Sequence, residues 1–120
     1  MKKINIVLIH THDTGRYISP YGYNAKTTNI QKIANLGSVY RNFFTAAPTC
    51  SPSRSALMTG LYPHQNGMFG LAHRGSRLHD YEGHLSNFLK SQNFETALFT
   101  FLPDNMILGL YPALRDLYVR

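Results

Sequence analysis

Apolar residues along the chain fall into two kinds of run. From Ile4 to Ile9 they are continuous apart from Asn5 and mostly β-branched, which predicts a strand covered on both faces in a parallel sheet. Polar and turn-forming residues follow from His10 to Gly22. Ligands of open α/β sheets bind beyond the carboxyl ends of strands, so His10, His12, Asp13 and Arg16 fall where chemistry is expected. The second kind of run has helical spacing. Ile30, Ile33, Ala34 and Leu36 predict a helix with Thr28 or Asn29 as its cap and Gly37 as its stop.

Val39, Tyr40, Phe43 and Phe44 predict a short extended segment, and Pro48 marks the loop Thr45 to Thr49. A second helix is expected to begin around Cys50 to Pro52, where a first-turn proline has no hydrogen bond to lose, and to end at Gly60. Leu61 to Gly83 is rich in Gly and His and reads as an irregular loop facing an active site. Leu85, Phe88 and Leu89 mark a third helix ending at Gln92-Asn93, and Thr96 to Leu102 reads as another strand. From Pro103 onward the apolar residues lose clear periodicity. Two strands are too few to cover a sheet, so the pattern reads as the opening segment of a larger α/β domain.

Composition narrows the function. Twelve Lys and Arg against six Asp and Glu give a net charge of +6, which suits phosphate, sulfate or polyanion partners. The basic residues never form a dense block, so a nucleic-acid partner is not expected. No apolar run approaches the roughly 20 residues of a membrane helix, so no membrane association is expected either. The start, Met1-Lys2-Lys3 followed by a short apolar run, lacks the cleavage site of a signal peptide, which leaves the compartment undecided, with a cytoplasmic location the default and export the alternative. The single cysteine, Cys50, excludes an internal disulfide and a multi-cysteine zinc site.

Cys50 lies in the string Thr49-Cys50-Ser51-Pro52-Ser53-Arg54-Ser55-Ala56-Leu57-Met58-Thr59-Gly60. A helix N-terminus there offers unpaired N–H groups and a positive dipole end to an anion or a thiolate. Arg54, one turn along, adds a two-pronged donor suited to an oxyanion. The plainer alternative is a packed cysteine beside an ordinary surface arginine.

The string resembles the signature of the type I sulfatases, the formylglycine-dependent branch of the alkaline-phosphatase-like superfamily. In that signature Cys-x-Pro-Ser-Arg precedes an apolar helix and Thr-Gly, and every position is matched. The resemblance implies that Cys50 is oxidised to formylglycine, whose hydrated aldehyde attacks the sulfate ester. It also implies that Pro52 and Arg54 belong to the element read by a formylglycine-generating or equivalent maturation enzyme, and that Arg54 holds the hydrated aldehyde. Sulfatases carry adjacent aspartates after their first strand as ligands of a divalent cation, usually Ca2+. Asp13 matches the second, and His12 stands in the place of the first, so His12 is either an altered ligand or a substrate contact.

Thr28 to Ala34 and Tyr40 to Thr45 are similar to the sulfatase stretches that flank these sites. Pro63 to Met68 is similar to the branch containing the heparan N-sulfatases, where His64 is either a substrate contact or structural. His73, His79 and His84 are read as structural. The resemblance implies an α/β, alkaline-phosphatase-like fold with a mainly parallel sheet flanked by helices, of which residues 1–100 form the N-terminal part. After a strand like Glu95 to Phe99 the family continues with a Gly-Lys-x-His-type motif, whereas this chain reads Thr100-Phe101-Leu102-Pro103-Asp104. Residues 101–120 are therefore read as a divergent tail arising from truncation or a frame shift.

The implied reaction is hydrolysis of sulfate esters or sulfamates in a sulfated small molecule or glycan. Little turnover is expected of the chain alone, because the later metal pair and the sulfate-binding lysines and histidines have no counterparts. Two alternatives are a phosphonate or phosphate monoester hydrolase of the same superfamily and a non-catalytic basic fragment that binds sulfated glycans.

Overall fold

The computed structural model describes residues 4–12 and 14–98. They divide into two compact units between Phe43 and Phe44.

The first unit is built on a 3-10 turn, Ser19–Tyr21, and helix α1, Thr28–Leu36. Pro20 presets the turn. Gly22 closes it at φ 90°, donating its N–H to the Ser19 carbonyl, a left-handed conformation that favours glycine. The N-cap of α1 is Thr27 rather than Thr28 or Asn29, and it makes no side-chain cap bond. Its hydroxyl is engaged elsewhere: Oγ1 accepts the Ser19 N–H at 2.9 Å and lies 2.7 Å from the Ser19 hydroxyl. Gly37 does end α1, but in extended backbone at φ −136°, where any residue would serve.

Among the described residues no strand pairs with another. Ile4, Val7 and Ile9 are 72%, 79% and 73% exposed, so the segment expected to be buried on both faces is uncovered. A strand is stabilised by neighbours that pair its backbone and cover its side chains. Most of the second expected strand, Thr96 to Leu102, lies outside the described residues, as does the tail. Val39 to Phe44 likewise forms no strand.

The second unit contains α2, Cys50–Thr59; α3, Pro63–Asn66; a 3-10 turn, Ala72–Arg74; and α4, Leu85–Ser91. Its bounds at Gly60 follow the sequence: φ is 69° and the Gly60 N–H returns to the Ala56 carbonyl at 2.9 Å. Leu61 to Gly83, read as an irregular loop, is largely irregular, with α3 and the 3-10 turn as its short regular pieces. Met68 and Leu78, within it, and Ala56 of α2 are the buried hydrophobic side chains among the described residues.

The rest of the interior is polar and hydrogen-bonded. Asn66, 4% exposed, donates from Nδ2 to Ser55 Oγ at 3.2 Å, Thr59 Oγ1 at 3.1 Å and the Leu61 carbonyl at 3.3 Å. Its Oδ1 accepts the Met68 N–H at 2.9 Å. Gly67 follows at φ 87°, with the His79 ring packed so closely that a Cβ would collide with it. The His79 N–H fixes this arrangement by donating to the Asn66 carbonyl at 2.8 Å.

Helix α4 starts at a buried cap. His84 accepts the Ser86 N–H at Nδ1, 3.2 Å away, and Ser86 Oγ lies 2.7 Å from the same nitrogen. Burial pushes this imidazole below the usual histidine value of 6.5. The structural reading of His79 and His84 from sequence is the one observed.

Candidate active site

Helical geometry sorts the residues of α2 by face. Cys50, Arg54 and Leu57 share one stripe, at intervals of four and three residues, and Ser51, Pro52, Ser55, Ala56 and Thr59 occupy its neighbour. The second stripe is where the helix is fastened. Ser51 Oγ accepts the Ala72 N–H at 3.1 Å. Ser55 Oγ donates to the Pro52 carbonyl at 2.8 Å, Thr59 Oγ1 donates to the Ser55 carbonyl at 2.8 Å, and Asn66 reaches both hydroxyls. A further bond holds the approach to the helix, between Thr45 Oγ1 and Ser53 Oγ at 2.6 Å.

The first stripe is left open. Cys50 is exposed at the first helical position, and Arg54 is half-buried one turn later. Thr49 places no side-chain oxygen on the helix start, so the positive end of α2 has no side-chain cap. Among the described residues no carboxylate pairs with Arg54. The plain reading of a packed cysteine is thereby corrected: it is Ser51 and Pro52 that are buried, and the sulfur faces out. Chemically, this is an exposed thiol at the positive end of a helix, one turn from a guanidinium in the sequence, a setting that favours an anion.

The other sequence-predicted residues are taken one by one. Asp13 lies outside the described residues. His12 is exposed, and its carbonyl accepts from Thr14 Oγ1 at 3.4 Å. Gly15 makes the following turn at φ 57°. Among the described residues no three His, Cys, Asp or Glu side chains come together as a metal site. One imidazole and one carboxylate do not fit a calcium ion, which takes six to eight oxygen ligands. His64 is exposed and stacks on Tyr62, with ring centroids 5.7 Å apart and 10° between planes. A groove of about 600 Å³ runs between Leu57, Gly60, Leu85 and Phe88, away from Cys50 at the other end of α2. No described helix is long and apolar enough to cross a membrane.

Sequence reasoning missed Asn66 and Ser51, the residues that hold α2. The only local signal was the pair Asn66-Gly67, which announces a turn but not the partners of its side chain.

Comparison with known proteins places this site in context. The profile of the family described as Sulfatase matches residues 4–105. The chain is 41% identical over 68 residues to human N-sulphoglucosamine sulphohydrolase, covering 56% of this chain and 14% of that protein. It is 39% identical over 64 residues to an ulvan-active sulfatase of Formosa agariphila, covering 52% and 11%. Human steryl-sulfatase is 34% identical over 105 residues, covering 78% and 18%. The chain thus spans less than a fifth of the length of these relatives. No solved structure matches it.

Proposed function

The chain belongs to the sulfatase family, and from that premise we propose that it carries the nucleophile-bearing part of a sulfuric ester hydrolase, with Cys50 as the residue matured to formylglycine. The family's fold is α/β and alkaline-phosphatase-like. Within it, Ile4 to Ile9 is assigned as a strand of a mainly parallel sheet, and residues 1–100 as the N-terminal part of the catalytic domain. The observation that carries the functional reading is the division of α2 into a fastened face and an open one: Ser51, Pro52 and Ser55 are buried, whereas Cys50 is exposed and Arg54 half-buried on the stripe they share with Leu57.

Formylglycine supplies a hydrated-aldehyde hydroxyl as the nucleophile toward sulfur. Arg54 offers paired N–H donors to the oxygens gathered around that position, and the α2 N-terminus favours their negative charge. Ser51, Ser55 and Asn66 keep the helix from rolling. Asp13 is assigned as a ligand of a divalent cation, His12 as a ligand or a substrate contact, and His64 as a substrate contact. Because His12 and Asp13 alone do not complete a calcium shell, no step is assigned to the metal.

The substrate class is a sulfated small molecule or glycan: the relatives' names include sugar sulfatases and a steryl-sulfatase, and the saccharide is the reading taken further. The partner required is a formylglycine-generating or equivalent enzyme. Peptide mass spectrometry of the chain produced alongside such an enzyme tests the reading. The Cys50 peptide is expected to lose the mass difference between a thiol and an aldehyde, and Pro52→Ala and Arg54→Ala are expected to lower the yield. An unmodified Cys50 peptide in the presence of active maturation enzyme defeats the proposal.

A further inference from the structure

The basic charge of this chain is unevenly placed. Residues 1–43 contain six of the twelve Lys and Arg residues and a single acidic residue, Asp13, whereas residues 44–120 hold six basic and five acidic residues. Within the first unit, one of these cations is held in a defined setting. The Arg16 guanidinium lies over the Tyr21 ring, 5.9 Å from its centroid. Tyr21 is itself fixed at both ends: its N–H donates to the Ile18 carbonyl at 3.1 Å, and its hydroxyl donates to the Tyr40 carbonyl at 3.0 Å. The turn that carries it is tied to the start of α1 through Ser19 and Thr27.

Arg16 is exposed, and among the described residues no carboxylate pairs with it. Its contact with Tyr21 is to the ring, and among the described residues no hydrogen bond engages its guanidinium N–H groups. Beside it in sequence, Tyr17 is 69% exposed and braced edge-on by Tyr23, with ring centroids 5.1 Å apart at 71°. A braced and exposed aromatic ring next to an oriented guanidinium offers an apolar face and an anion fork in one short segment.

We infer that Arg16, backed by Tyr21, binds an anionic group of a sulfated saccharide other than the sulfate that is cleaved, with Tyr17 packing against the sugar ring. This rests on the sulfatase reading for the identity of the ligand and names a position that reads its charge. Arg16 follows Asp13, the residue assigned to the metal, by three positions in the sequence. The guanidinium, being planar, takes a sulfate or carboxylate through two parallel hydrogen bonds. A lysine at the same place would supply charge without that fork.

Three of the chain's eight tyrosines, Tyr17, Tyr21 and Tyr23, lie in this cluster, so binding is followed by isothermal calorimetry rather than by total tyrosine emission. The test is titration of the purified full chain, with Cys50 unmodified, by a heparin-derived hexasaccharide at about 0.15 M salt. Saturable binding is expected. Arg16→Ala is expected to weaken it about tenfold, Arg16→Lys about threefold, and Lys32→Ala, which removes an equal charge from α1, less than about twofold. Circular dichroism of each variant confirms that the helices are retained.

Equal losses for Arg16→Ala and Lys32→Ala would show a diffuse charge effect and overturn the assignment. So would tighter binding of a single-stranded DNA of matched charge, which would mark a nucleic-acid surface, or no saturable binding by the unaltered chain. The outcome is independent of maturation: unconverted Cys50 with intact Arg16-dependent binding removes the hydrolase reading alone, and converted Cys50 without such binding removes this inference alone.

Discussion

The two units of this chain solve the problem of stability differently. Every buried residue among those described belongs to the second unit, where Asn66 ties α3 to Ser55 and Thr59 of α2, Ser51 ties α2 to the 3-10 turn at Ala72, and His84 caps its own helix. The first unit has the longer apolar run yet buries none of its described residues. Its β-branched segment from Ile4 to Ile9 is exposed, and so are Leu36 and Phe43. Hydrophobicity alone therefore does not make a core: apolar side chains contribute only when a second surface removes them from water. A handful of satisfied polar groups can fix a small unit in the meantime, because each one left unpaired inside would be costly.

The difference between the units can be attacked most strongly at Asn66. Asn66→Ala strips partners from two hydroxyls, a carbonyl and an N–H, and is expected to destabilise the second unit by about 3 kcal/mol. Hydrogen exchange is the appropriate measurement: the α2 amides should lose protection, while those of α1 stay unchanged.

A smaller effect is expected from pH, through the cap of α4. In the folded chain His84 Nδ1 is an acceptor, and burial holds the ring neutral below its usual value of 6.5. The unfolded chain takes up a proton first as pH falls, so the stabilisation is complete above about 6.5 and declines as pH drops through the interval beneath it. Protonation of Nδ1 would turn it from acceptor to donor and break the cap. His84→Asn keeps a capping side chain and should flatten this pH dependence in thermal melts followed by far-UV circular dichroism.

The smallest effect belongs to the first unit. Leu36 is 90% exposed, and Leu36→Ser is expected to change stability by no more than about 0.5 kcal/mol. A loss comparable to that of Asn66→Ala, measured by the same exchange experiment on α1, would erase the distinction between the two units.

How far the sequence revealed these features depends on the range of the interactions concerned. Helix α2 was legible at both ends, since its first-turn proline and its left-handed Gly60 are local devices. The alignment of Cys50 with Arg54 follows from helix period alone. Thr27 escaped because its hydroxyl is committed to Ser19, eight residues earlier. The attachment of the segment Leu61 to Gly83 to α2 escaped for a related cause: it comes from Asn66 reaching back 7 and 11 residues to Thr59 and Ser55, and such bonds leave no periodic trace. The pattern of Ile4 to Ile9 reads as a strand in the sequence, but among the described residues nothing pairs with its backbone and no strand forms there.

The bridge from Thr27 to Ser19 has a consequence for work on isolated pieces of this chain. In a peptide beginning at Thr27, the hydroxyl would be released to bond the first turn of its own helix. Such a peptide would display an N-terminal signal that the intact chain does not use, and its helicity would measure a different molecule. The shortest faithful excerpt of α1 begins no later than Ser19, because the oxygen that ties the turn to the helix belongs to both.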